Sequence, residues 1–172
     1  GGADRALLDD VVRQFGMWRQ IRLARCSGIA SPMALGIWKP AIWIPADFDR
    51  RFSSAERQAM FAHETAHHAA HDLAWQTLME ILARLLWFHP AVWFARRQFA
   101  VAVEHAADEA SLLLDDGPGV LAGCLVTLGR QLQRQHNLAW LGVASRPFRS
   151  ELGRRVERLL DLEHDSYRHD RG

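Results

Sequence analysis

A chain of 172 residues with 49% apolar and 24% charged side chains has the make-up of one globular domain, which excludes a disordered or fibrous polypeptide. Its formal net charge of +1 gives no electrostatic reason to expect a nucleic-acid partner. Two distant cysteines, Cys26 and Cys124, exclude a disulfide framework and a Cys-rich zinc knuckle, and read as free thiols in a reducing compartment.

Leu7, Leu8, Val11, Val12 and Phe15 recur at helical spacing and predict an amphipathic helix over Asp4–Met17. A short strand is expected at Ile21–Ala24, with turns marked by Gly28, Ser31, Pro32 and Gly36. The β-rich run Ile37–Pro45 is bracketed by Pro40 and Pro45. Proline offers no ladder N–H, so the prolines fit an edge strand or a strand end, and an edge strand is expected near 41–44. Ser53 or Ser54 reads as an N-cap for a helix over about Ala55–His71, and with Ser53 as the cap Glu56 three residues later completes a capping box. Helices are also expected over about Leu73–Phe88 and Ala91–Leu114, with Pro90 breaking the chain between them. A turn at Asp115–Gly119 precedes a helix over Val120–Gln135, a loop over His136–Arg149 and a basic helix over Glu151–Leu162. The polar residues 163–172 read as a disordered tail after a single domain over 1–162. The fold class is α+β and mostly helical, with a small sheet packed on the helix at 55–71.

The stretch Leu73–Phe99 is the most apolar, but Glu80, Arg84, His89, Pro90, Arg96 and Arg97 interrupt it. A spanning helix needs about 20 mostly apolar residues, so the chain as given is expected to be soluble. Trp75, Trp87, Phe88, Trp93, Phe94 and Phe99 are assigned first to an aromatic core and second to a face that meets a partner or a membrane surface.

The helix at 55–71 carries His63-Glu64-Thr65-Ala66-His67. Histidines at i and i+4 lie on one helix face, so both imidazoles can reach one ion. Glu64 is placed to take a proton from metal-activated water, as in HExxH metalloproteases. Alone, the motif also fits a solvated helix face. A catalytic zinc takes a third protein ligand and keeps one position open. His68 is turned about 100° from His67, and His71 lies about 12 Å along the axis from His63. A metzincin would have glycine at position 70 and histidine at 73, where this chain has Ala70 and Leu73. The best donor is Glu104, with Asp108 one turn on and placed to accept the spare N–H of a zinc-bound histidine. His105 and Glu109 are the rivals. Arg154, Arg155 and His136 are candidates for stabilising an oxyanion, and Arg146, Arg149, Arg154, Arg155 and Arg158 form a basic set fit for lipid headgroups, an acidic partner or plain solvent.

Four blocks occur in one order: Met60–His67; His71-Asp72; Trp87-Phe88-His89-Pro90-Ala91-Val92-Trp93; and Glu104–Ala110. With Ser31–Gly36, Lys39–Pro45 and Arg154–Leu160, the chain resembles the metallopeptidase domain of BlaR/MecR-type antibiotic-sensing membrane proteins over about residues 20–160. The resemblance implies a gluzincin with a zincin-like fold, with His63, His67 and Glu104 on Zn2+, Glu64 as general base and Asp108 behind a zinc-bound histidine. It implies a zinc endopeptidase whose substrate is a protein, a transcriptional repressor or the chain itself, acting at the cytoplasmic face of the bacterial inner membrane. Ala107 stands where the family often has cysteine and His89 where asparagine is common. The 172 residues hold no spanning segment and no penicillin-binding sensor. The alternative reading is a latent or non-catalytic zinc-binding module of a membrane signalling protein.

Overall fold

The computed structural model describes the backbone of residues 2–136 and 146–169, and the side chains of 2–130 and 152–164. Helix α1 (Gly2–Gln14) is followed by strands β1 (Arg22–Cys26), β2 (Met33–Leu35) and β3 (Ala41–Pro45), then α2 (Phe48–Arg51), α3 (Ser54–Ala69), α4 (Asp72–Leu85) and α5 (Pro90–Glu109). A 3-10 turn (Ala110–Leu113) leads to α6 (Gly117–His136) and α7 (Arg146–His169). The class is α+β, mostly helical with one three-stranded sheet. Among the described residues no helix is long and apolar enough to cross a membrane.

The sheet order is β1-β3-β2, with β1 parallel and β2 antiparallel to β3. The edge-strand expectation at 41–44 is therefore corrected: β3 is central. Pro40 lies before the strand and Pro45 is its last residue, so neither removes an N–H from the middle of the ladder. Ile42 and Ile44, both fully buried, carry the sheet into the core. The true edge beside α3 is β2, three residues hidden in sequence among turn formers. It ends at Gly36, whose φ of +83° and closeness to the Lys39 carbonyl leave no room for a Cβ.

Helix α3 is the central element. Ser53 and Glu56 form the expected capping box, with Ser53 N–H donating to Glu56 Oε2 at 2.7 Å and Glu56 N–H to Ser53 Oγ at 3.3 Å. Met60, Phe61 and Ala62 join Leu8 and Val11 of α1, Ile42 and Ile44 of β3, and Phe48 of α2 in the main core. Ala59 packs with Leu121, Ala122 and Leu159 in a second cluster under α6 and α7. His68 Nε2 donates to the Ala41 carbonyl at 3.1 Å and ties α3 to the sheet. Asp4, buried at the start of α1, pairs with Arg25 of β1 and Arg57 of α3, locking three elements together.

Three sequence expectations change. Helix α3 ends at Ala69 because His71 is left-handed (φ 59°), and α4 restarts at Asp72. Helix α7 starts at Arg146, with Pro147 tolerated in its first turn, and runs through the polar residues Glu163–His169; a helix already nucleated by packing propagates at small cost. Within the loop expected at 136–149, residues 137–145 lie outside the described residues. Finally, the aromatics between Trp75 and Phe99 are not a core: Trp75, Trp87, Phe88, Trp93 and Phe94 are all exposed, and Phe99 is half-buried.

Candidate metal centre

His63 and His67 sit one turn apart on the buried face of α3, and Glu104 faces them from α5. One ligand atom from each lies within 4.8 Å of the others, and His63 Nε2 is 3.7 Å from Glu104 Oε2. Two zinc ligands at tetrahedral angles stand about 3.3–3.4 Å apart, so a small contraction closes the triad on an ion.

Each histidine is oriented from behind. His67 Nδ1 is 2.9 Å from Asp72 Oδ2, and His63 Nδ1 is 3.2 Å from Asp108 Oδ1. The first is a hydrogen bond; the second is an ion-pair contact whose alignment falls short of one. Both leave Nε2 as the free ligating atom, the arrangement that fixes tautomer and ring orientation in zinc sites. The donor set therefore fits a zinc-type ion. Asp72 is a site residue that sequence reasoning missed. The left-handed turn at His71 brings it back under His67, and the only sequence signal is a carboxylate just past the end of the motif helix.

Arg155 of α7 lies across the outer carboxylates. Its Nε and Nη2 donate to Asp108 at 2.9 and 2.7 Å, and Nη1 is 2.8 Å from Glu104 Oε2. Burial opposes the charge on Asp108, but the close contact with His63 and the hydrogen bonds from Arg155 win and hold its pKa below the usual carboxylate value. Burial likewise disfavours the His63 cation, yet Asp108 and Glu64 outweigh it and raise the imidazole pKa. Of the oxyanion candidates, Arg155 is thus committed to carboxylates, Arg154 is exposed, and the His136 side chain lies outside the described residues. So do the side chains of Arg146 and Arg149 from the basic set.

The rival ligands are occupied elsewhere. Arg158 donates to His105 Nδ1 at 2.7 Å and also pairs with Glu109. His71 is exposed, and His68 is spent on the sheet. Glu64 projects into a cleft of about 330 Å3 lined by Pro32, Met33, Ala34, His63, His67 and Arg155 among others. One Glu64 oxygen accepts the Ala34 N–H at 2.6 Å. Cys124 also lines the cleft, but burial pushes its thiol pKa up to about 12, which keeps it protonated and a poor ligand or nucleophile.

Comparison with known proteins agrees with this picture. The model of the family described as BlaR1 peptidase M56 matches residues 3–116, a span that includes the whole triad, Asp72 and Asp108. The chain is 29% identical over 94 residues to the regulatory protein BlaR1 of Bacillus licheniformis, covering 55% of this chain and 16% of that protein. It is 26% identical over 90 residues to the methicillin resistance mecR1 proteins of Staphylococcus aureus and Staphylococcus epidermidis, covering 52% of this chain and 15% of theirs. The chain thus spans about a sixth of the length of these curated relatives.

Proposed function

The chain belongs to the BlaR1 peptidase M56 family, and from that membership and the geometry of the cleft we propose that it is a zinc-dependent endopeptidase domain of gluzincin type with a zincin-like fold. The observation that carries the reading is the paired orientation of His63 by Asp108 and His67 by Asp72, with one ligand atom of each histidine and of Glu104 within 4.8 Å of the others. His63, His67 and Glu104 hold the metal. Three protein ligands leave a fourth position open, as in catalytic rather than structural zinc sites.

A bound zinc ion would supply Lewis-acid activation of water and of the scissile carbonyl. Glu64 then takes the proton of the attacking water and delivers it to the leaving amine. The Ala34 N–H holds the Glu64 carboxylate on the cleft side of α3. Substrate adds to β2, the edge strand beside α3, and not to the central strand β3. The N–H and C=O of one strand residue point to the same side, so the Ala34 carbonyl shares the free edge with its N–H, and an extended peptide pairs there. Buried Asp108 keeps the triad in place together with Arg155, which is held on Asp108 and Glu104 at the wall of the cleft.

The substrate is a protein, and the family setting makes a transcriptional repressor or the parent protein itself the first to try, with the domain at the cytoplasmic face of the bacterial inner membrane. The test is metal analysis with a proteolysis assay, on casein and then on a candidate repressor. Wild type is expected to bind one zinc and cleave, Glu64→Gln to keep zinc and lose cleavage, and Glu104→Ala to lose zinc. Cleavage by Glu64→Gln at the wild-type rate would overturn the assignment of the base. Unaltered zinc affinity in Glu104→Ala would move the third ligand elsewhere.

A further inference from the structure

Among the described residues, exposed large apolar side chains gather on the hairpin of α4 and α5. Trp75, Leu78 and Leu85 fall on one face of α4 and are 54%, 42% and 68% exposed; the face runs on into Trp87 and Phe88 of the turn and Phe94 of α5, at 69%, 66% and 66%. Such a continuous apolar surface marks an interaction site.

We propose that this hairpin docks on an anionic lipid bilayer, lying in the interface without crossing it. Charge selects the occupant. From Ile81 to Val103 the chain has three arginines, Arg84, Arg96 and Arg97, and no carboxylate. Arg96 stacks on the Trp93 ring and pairs with Glu80, Arg97 is exposed one turn on from Phe94, and Arg84 is exposed on the flank of α4, about 100° around the helix from Leu85. Tryptophan and phenylalanine rimmed by arginine match the boundary between acyl chains and negative headgroups. A second copy fits less well, because joining two such faces would bring together two surfaces that carry arginines and no carboxylate between Ile81 and Val103. Length agrees as well: α4 has 14 residues, about 21 Å along its axis, too short to span a hydrocarbon core of about 30 Å but long enough to lie in its surface. The docking would hold the peptidase cleft beside the membrane, yet it does not depend on the cleft being active.

The experiment is flotation of the 172-residue chain with vesicles of phosphatidylcholine alone, and with vesicles of equal parts phosphatidylcholine and phosphatidylglycerol. The chain is expected to float with the anionic vesicles, and less so as salt is raised. The variant Trp87→Ser/Phe88→Ser/Phe94→Ser, checked for folding by circular dichroism, is expected to remain in solution. Arg84→Gln/Arg97→Gln leaves the apolar face and the packing intact, and should weaken binding to the anionic vesicles about 25-fold, at about fivefold per arginine. The proposal is overturned if wild type fails to float, if neither variant alters flotation, or if wild type without vesicles forms a dimer that the serine variant abolishes.

Discussion

Arg155 holds Asp108 with two parallel hydrogen bonds, from Nε and Nη2, across 47 residues of sequence. Asp108 has no exposed surface and also contacts His63, so the guanidinium is what permits a carboxylate to be ionised there. The last long helix therefore buttresses the candidate metal centre, although none of the three proposed ligands lies on it.

Replacing Arg155 by methionine should leave a buried anion with His63 alone. Breaking such a pair costs about 3 kcal/mol, the low end of the usual range because part of Arg155 still meets solvent. Zinc affinity should fall on the order of tenfold to a hundredfold as His63 and Glu104 lose their fixed orientation. Arg155→Lys should recover only part of this, since an ammonium cannot form the bidentate pair. Chelator competition and thermal melting read both effects. An unchanged zinc affinity in the methionine variant would show that Arg155 serves the fold and not the centre.

Asp72 is the corresponding support for His67. Asp72→Leu removes the acceptor at Nδ1 and frees the imidazole to rotate. Zinc affinity should drop on the order of tenfold to a hundredfold. Asp72→Asn, whose amide oxygen still accepts, should lie between the two. Equal affinities for all three proteins would remove Asp72 from the site.

Residues whose chemistry is set by near neighbours were legible in the sequence. The His63/His67 pair, the capping box that starts their helix and the one-turn spacing of Glu104 and Asp108 all follow from helical periodicity, and the structure keeps those spacings. What escaped depends on contacts far along the chain or on single backbone conformations. The left-handed residue at His71 brings Asp72 under His67, and nothing in the residue types demands it. Prolines at 40 and 45 mimic an edge strand, because sequence does not reveal whether a proline stands within a ladder or at its end. Sequence also counts aromatic residues without saying which the chain itself covers; hence Trp87 and Phe94, expected in the core, lie outside it.

Asp108 should also give the metal-free protein a recognisable acid response. Burial would raise its pKa, but His63 and Arg155 depress it below the unfolded value. A depressed carboxylate stabilises the fold above the unfolded pKa of about 3.9, and that contribution fades as pH falls through the folded value. Asp108→Asn should thus be less stable than wild type at neutral pH, and the gap should narrow at pH values below about 4. Urea midpoints with chelator present, taken at neutral pH and in acid, measure it. A gap that stays constant across that window would mean that Asp108 acts by packing and not by charge.

The contact between Ala34 and Glu64 allows the base to be tested apart from the metal. Ala34 N–H points away from β3 to the carboxylate of Glu64, while its neighbours Met33 and Leu35 face β3 in the antiparallel ladder. Ala34→Pro accordingly deletes the donor to Glu64 without deleting a ladder bond, and an extended backbone accepts proline. Loss of one charge-assisted hydrogen bond should lower kcat on the order of tenfold. Zinc content should be unchanged, because none of the three proposed ligands touches Ala34. Ala34→Gly keeps the N–H and should cleave near the wild-type rate. If the proline variant lost zinc along with activity, strand β2 would be holding the metal centre itself and not orienting the base.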